Sequence, residues 1–205
     1  MLRLLAVPLA ALSFHAVVQP LSPPVRRLLV GNVWHQGCPV GLSDLRVLTV
    51  THWGFDGRPH TGQLVVNRKD ASPLAGVFHK LYDLRFPIRD MRLPVVYGPN
   101  PPDDVSGSFE CRQAVPSPCV GGTGTGSWSE HAYGEAVDLN PVENPYIGCG
   151  MSRDPASRPY LDRSKFRPGM VTPAVVAAFR SIGWGWGGSW AGSTKDYMHF
   201  SATGH

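Results

Sequence analysis

Glycine and proline punctuate this chain so densely that no element can run long: 23 glycines and 20 prolines fall among 205 residues. Proline removes an amide donor, and glycine gives up more backbone entropy on ordering than any other residue. Short elements joined by many turns follow. The bias is too small for a disordered or collagen-like chain. With 42% hydrophobic residues, including 6 Trp, 8 Phe and 6 Tyr, the chain can bury one real core. The net charge of +4 allows weak attraction to an anionic polymer. No Lys/Arg run interleaved with aromatics is present, so no nucleic-acid partner is expected.

At the N-terminus Arg3 precedes an apolar run from Leu4 to Leu12, the pattern of a secretory leader. The run is too short to span a bilayer, and Pro8, His15, Gln19 and Pro20 interrupt any longer reading. Residues 1–24 are therefore expected to be a signal peptide or disordered leader, with Ala16 a candidate last removed residue. Residues 25–205 are expected to form the single functional domain, with no transmembrane segment. Cys38, Cys111, Cys119 and Cys149 fit an exported chain with two disulfides, and none lies in a CxxC pair. Four cysteines allow three connectivities. Cys119 with Cys149 would tie together the loops around residues 129–141, leaving Cys38 with Cys111.

Residues 17–43 read as proline-rich and irregular. A strand is expected over 44–53, a turn at Asp56-Gly57 and a second strand over 62–67, forming a hairpin. Asp70 or Ser72 then caps a helix to about Arg85, with Leu74, Val77, Phe78 and Leu81 on one face. A further strand is expected over 88–94. The glycine-rich stretch 121–127 lacks the lysine of a phosphate-binding loop and reads as a loop. Thr172 and Pro173 open another helix, which runs to about 184. Trp184, Trp186 and Trp190 mark a rigid turn, and 196–201 is a last short strand.

The stretch Ser129-Glu-His-Ala-Tyr-Gly-Glu-Ala-Val-Asp-Leu-Asn-Pro141 carries the chemistry. Gly134 and the β-prone residues after it argue for a turn at 132–134 followed by a strand. Asp138 is then a carboxylate on a half-buried strand face, and a buried carboxylate needs a partner. A metal is one candidate, with His131 a second ligand. Of 8 histidines, His199 is the best placed third, in the aromatic-flanked stretch 196–201. Two His and one carboxylate form a common catalytic zinc set with a fourth position left for water. Asp196, at the loop end of that last strand, is placed to act as general base. A hydrogen-bonded core trio is the competing reading. Glu130, Glu135 and Glu143 are read most simply as solvated.

Ser129, His131, Gly134, Ala136 and Asp138 resemble the S-x-H-x-x-G-x-A-x-D signature of the zinc D-alanyl-D-alanine carboxypeptidases, a group that includes VanY-like enzymes and L-alanyl-D-glutamate endolysins. Asp196-Tyr-Met-His199 is similar to their partner motif of an acid, two residues and a His. The resemblance implies His131, Asp138 and His199 as zinc ligands and Asp196 as the base. It also implies an upstream arginine that stabilises the oxyanion, for which Arg112 matches in outline. The implied fold is α+β, a small antiparallel sheet with packed helices, shared with hedgehog signalling domains. The implied protein is an exported or wall-associated zinc peptidase, expected as a monomer, that cuts peptidoglycan stem peptides. A zinc-containing wall-binding or scaffold domain without turnover is the alternative.

Overall fold

The computed structural model describes residues 13–93, 104–114, 126–149, 152 and 154–205. Its strands are β1 (Ala16–Pro20), β2 (Leu45–Trp53), β3 (Pro59–Asn67), β4 (Ala136–Asp138), β5 (Tyr146–Ile147), β6 (Gly185–Trp186), β7 (Lys195–Asp196) and β8 (His199–Ser201). Its α-helices are α1 (Pro23–Leu29), α2 (Ala71–Asp83), α3 (Glu130–Tyr133) and α4 (Pro173–Arg180). The strands form three antiparallel groups, β1-β2-β3, β4-β8-β6 and β5-β7. This is the expected α+β class.

The β2–β3 hairpin organises the core. Val47 lies opposite Val65, and Leu48 opposite Leu64. Side chains alternate along a strand. Leu48, Val50, Leu64 and Val66 therefore enter one core, and Leu45, Val47 and Val65 enter another on the opposite face. The first core takes Leu74, Val77, Phe78 and Leu81 from α2, and Val175 and Phe179 from α4. It also takes Val137, Leu139 and Phe200 from β4, the residue after it, and β8, so the second sheet is anchored directly on the first. The expected hairpin turn is present, with the Gly54 amide donating to the Arg58 carbonyl at 2.8 Å. Thr172 caps α4 through its hydroxyl, with Pro173 in the first turn as expected. Asp70 sits at the start of α2, but its side chain makes no capping hydrogen bond.

Two stretches depart from the sequence expectation. Residues 17–43 are not all irregular, because β1 pairs with β2 along five residues and α1 buries Leu29. The side chains of β1 are all exposed, so backbone pairing alone makes that strand, and no hydrophobic alternation announces it. Ahead of α1, Phe14 stacks on His79, and Leu21 is buried. Over 88–93 no strand forms. Pro87 makes a single bridge to Trp53 and has no amide to extend it. Residues 121–125 of the glycine-rich stretch lie outside the described residues.

Cys38 and Cys111 are joined, as expected. Cys149 is also disulfide-bonded, and Cys119 lies outside the described residues. Among the described residues no helix is long and apolar enough to cross a membrane.

The loop after β4 is held by a buried ionic knot. Arg89 reaches Glu143 and Asp104, each at 2.6 Å. Asp104 accepts from the Val142 amide, and Asn140 accepts from the Arg89 amide, each at 3.0 Å. Glu143 is fully buried, which corrects the solvated reading of that residue. Burial and a hydrogen bond shared with Asp104 push its carboxyl up to about 7, against the pull of Arg89. The folded chain therefore holds a proton on Glu143 more tightly than the unfolded chain does. That contribution is complete below the ordinary carboxyl range and is lost as pH rises towards 7 and beyond. Glu143→Gln mimics the protonated form. Relative to wild type, the variant should gain on the order of 1–3 kcal/mol between pH 5 and pH 8. Urea denaturation at both pH values checks this, and a pH-independent difference would refute it.

Candidate metal centre

The centre is built where the second sheet meets the end of β3. Ser129 caps the single-turn helix α3, its hydroxyl accepting from the His131 amide at 3.3 Å. Gly134 ends that turn in the left-handed conformation, φ 70°. A Cβ there would lie 2.7 Å from the Asn67 amide nitrogen, which itself donates to the Gly134 carbonyl at 2.8 Å. Only glycine combines this backbone angle with this closeness. The glycine three residues after His131 thus turns the chain from α3 into β4 and lodges it against β3.

Asp138 of β4 lies opposite His199 of β8, so both side chains leave the same face of the sheet. Asp138 is flanked by both imidazoles: Oδ1 is 3.0 Å from His199 Nδ1, and Oδ2 is 3.2 Å from His131 Nε2. The ligand-type atoms of His131, Asp138 and His199 all lie within 4.8 Å of one another. Both histidines are buried. Burial opposes the charge on Asp138, but the two imidazoles outweigh it and hold the carboxyl far below its ordinary range. Burial likewise opposes charge on His199, and the neighbouring carboxylates outweigh it and raise its pKa.

A zinc ion suits this donor set. His131 Nδ1 lies 2.6 Å from the Ser108 carbonyl, a group that can only accept. The Nδ1 proton therefore points at Ser108, which leaves Nε2, on the Asp138 side, as the nitrogen that could bind a metal. Ser108 is held in turn, its hydroxyl donating to the Ala136 carbonyl at 2.7 Å. A ligand imidazole fixed from behind by an accepting oxygen is the usual arrangement at metal sites. A second cluster, His35 with Cys38 and Cys111, does not compete, because its sulfurs are joined in the disulfide.

Asp196 lies on β7 opposite Tyr146 of β5, so the single strand expected over 196–201 is instead broken at Tyr197 and Met198. Its Oδ1 is buried and has no hydrogen-bond partner among the described residues. Burial and the charge of Asp138 push its carboxyl up to about 7, while His199, His131 and Arg112 pull the other way. Arg112 is thus close enough to act on Asp196 electrostatically. Its guanidinium, however, is paired with Glu110 at 2.8 Å, and among the described residues it forms no ion pair with Asp138.

Residues 123–202 match a family model described as D-alanyl-D-alanine carboxypeptidase. The segment contains His131, Asp138, Asp196 and His199 together. Over that stretch the chain is similar to this peptidase family. Arg112 lies upstream of the matched segment. No curated protein and no solved structure matches the chain.

Around this centre lie groups that single-residue reading did not reach. The Ser108 carbonyl is one, and a main-chain oxygen has no signature in a sequence. Tyr146 is another. It lies opposite Asp196 in the β5–β7 pair and lines a cavity of about 490 Å³ with Pro141, Asp154, Ser157 and Met198. Trp184 is buried in the main core, whereas Trp190 stands beside His199, with ring centroids 6.1 Å apart.

Proposed function

We propose that this chain is a zinc-dependent peptidase that hydrolyses peptidoglycan stem peptides outside the cytoplasm. One observation carries the reading: a carboxylate bracketed by two buried imidazoles, with a second, unpartnered carboxyl in the same pocket of charge. A core trio needs the first part of that arrangement and has no use for the second. The family match, the disulfide pairing and the absence of a membrane-spanning helix among the described residues agree with an extracytoplasmic peptidase.

His131 through Nε2, Asp138 through its carboxylate and His199 through Nδ1 would hold the zinc. Zinc there would supply Lewis acidity, polarising the scissile carbonyl and making water a better nucleophile. Asp196 takes a proton from the attacking water at its unpartnered Oδ1 and passes it to the departing amine nitrogen. A carboxyl whose pKa sits near neutrality suits both halves of that transfer. Arg112 faces the oxyanion or the terminal carboxylate of the substrate once the peptide displaces Glu110 from it. The cavity beside Tyr146 borders the β5–β7 pair that bears Asp196.

Mass spectrometry of defined muropeptides incubated with zinc-loaded protein tests the assignment. Loss of a single terminal alanine identifies a carboxypeptidase. Scission between L-alanine and D-glutamate identifies an endopeptidase. Wall fragments that bind but stay intact under both assays would overturn the enzyme and favour a scaffold domain.

A further inference from the structure

His199 uses both of its ring nitrogens. Nδ1 faces Asp138 at 3.0 Å, and Nε2 lies 3.3 Å from the main-chain oxygen of His205. That oxygen can only accept, so Nε2 carries a proton in this contact. Nδ1 is then the nitrogen left to present a lone pair.

The accepting oxygen is itself held. Ser201 Oγ donates to it at 3.0 Å. The Gly204 amide donates to the Ser201 carbonyl at 3.2 Å, closing a turn in which Gly204 has φ 80°. Trp190 Nε1 donates to the Gly204 carbonyl at 2.6 Å. The Trp190 ring also stacks on the imidazole of His205, with planes 20° apart. On the other side the turn is pressed against β6, where a Cβ on Gly185 would come 2.6 Å from Gly204 Cα. Ser201 thus holds this oxygen directly, and Trp190 and Gly185 hold the turn that carries it and aims it at one ring nitrogen.

We propose that the turn 201–205, pinned by the Trp190 indole, is a positioning device that fixes His199 with its proton on Nε2 and its Nδ1 turned to a divalent metal. Trp190 is a positioning residue, not a substrate-groove aromatic. The inference rests on the zinc reading of the centre and assigns the tail and Trp190 a part in it. It parallels the way the Ser108 carbonyl fixes His131 from behind, with the two rings held in opposite tautomers. Removing the outer partner of a metal-ligating histidine typically weakens metal binding by roughly 10–100-fold.

Trp190→Phe keeps an aromatic ring and deletes the indole N–H. Zinc affinity, measured by competition with a chromophoric chelator, should fall by about 10-fold or more. Removal of Gly204 and His205 should have at least the same effect. His205→Ala keeps the main-chain oxygen and should lose much less than either. If Trp190→Phe does not fold, Ser201→Ala removes a single contact to the same oxygen and replaces it. A second readout needs no zinc. In metal-free protein, at a pH that neutralises the ring, 15N NMR of histidine should show His199 as the Nε2–H tautomer. In Trp190→Phe and in the shortened chain, the population should move towards Nδ1–H, which Asp138 favours. Wild-type affinity and an unchanged tautomer in both variants would overturn the proposal. A wild-type chain that binds no zinc would remove the metal reading, and the tautomer shift alone would then decide whether the turn positions His199.

Discussion

Asp196→Asn should leave the chain folded and zinc-loaded while lowering kcat on a muropeptide by on the order of 10²–10⁴. Asparagine keeps the size and one carbonyl oxygen, so the β5–β7 pairing has no reason to change. It cannot accept a proton at neutral pH. The wild-type carboxyl can, because burial and Asp138 have pushed it up to about 7 and its Oδ1 is not used by the fold. KM should change little, since the lost interaction belongs to the transition state. Paired measurements of kcat and zinc content decide the matter. A variant with full zinc and near-normal turnover would mean that another group carries the proton.

The parts of this centre that a sequence can show are those whose residue type has only one good reason to be there. Gly134 is such a residue: the left-handed angle and the 2.7 Å approach to Asn67 exclude every side chain. Asp138 becomes legible once that turn is inferred, because strand alternation then fixes which way it points, whereas His131 lies on α3 and Asp196 on a different strand from His199. The hairpin and α2 were legible for a similar reason, since Leu48, Val50, Leu74 and Phe78 repeat at the strand and helix periods and meet in one core. β1 was not, because its five exposed side chains carry no period and its stability lies in main-chain pairing. Glu143 was not, because a glutamate is buried only when a distant partner meets it, and Arg89 is 54 residues away in sequence. The carbonyls of Ser108 and His205, which set the tautomers of the two histidines, belong to the backbone and leave no mark on residue type. Arg112 stands between these cases. Its approach to Asp196 follows from the fold, whereas its pairing with Glu110 shows a guanidinium that substrate must first release.

Purified wild-type protein should carry about one zinc per chain, and His131→Ala should lose most of it. The substitution removes the only ring whose Nε2 lone pair is fixed from behind by Ser108, leaving Asp138 and His199 to hold the ion alone. Two donors cannot complete a tetrahedral site with one open position, so the loss should exceed the roughly 10–100-fold cost of disturbing an outer partner. His199→Ala should behave alike, for it removes the opposite flank of the same carboxylate. Thermal unfolding of the metal-free proteins separates metal loss from misfolding, because each variant also leaves a buried hydrogen-bond partner unmet. Acid should mimic both substitutions in the wild type. Ligand imidazoles must shed a proton to bind zinc, so occupancy should fall as pH drops from 7 to 4. Emission spectrometry on gel-filtered protein measures all three series. Full zinc content in both variants, with occupancy flat into acid, would leave His131 and His199 as core histidines bonded to Asp138, and the metal would have to be sought elsewhere.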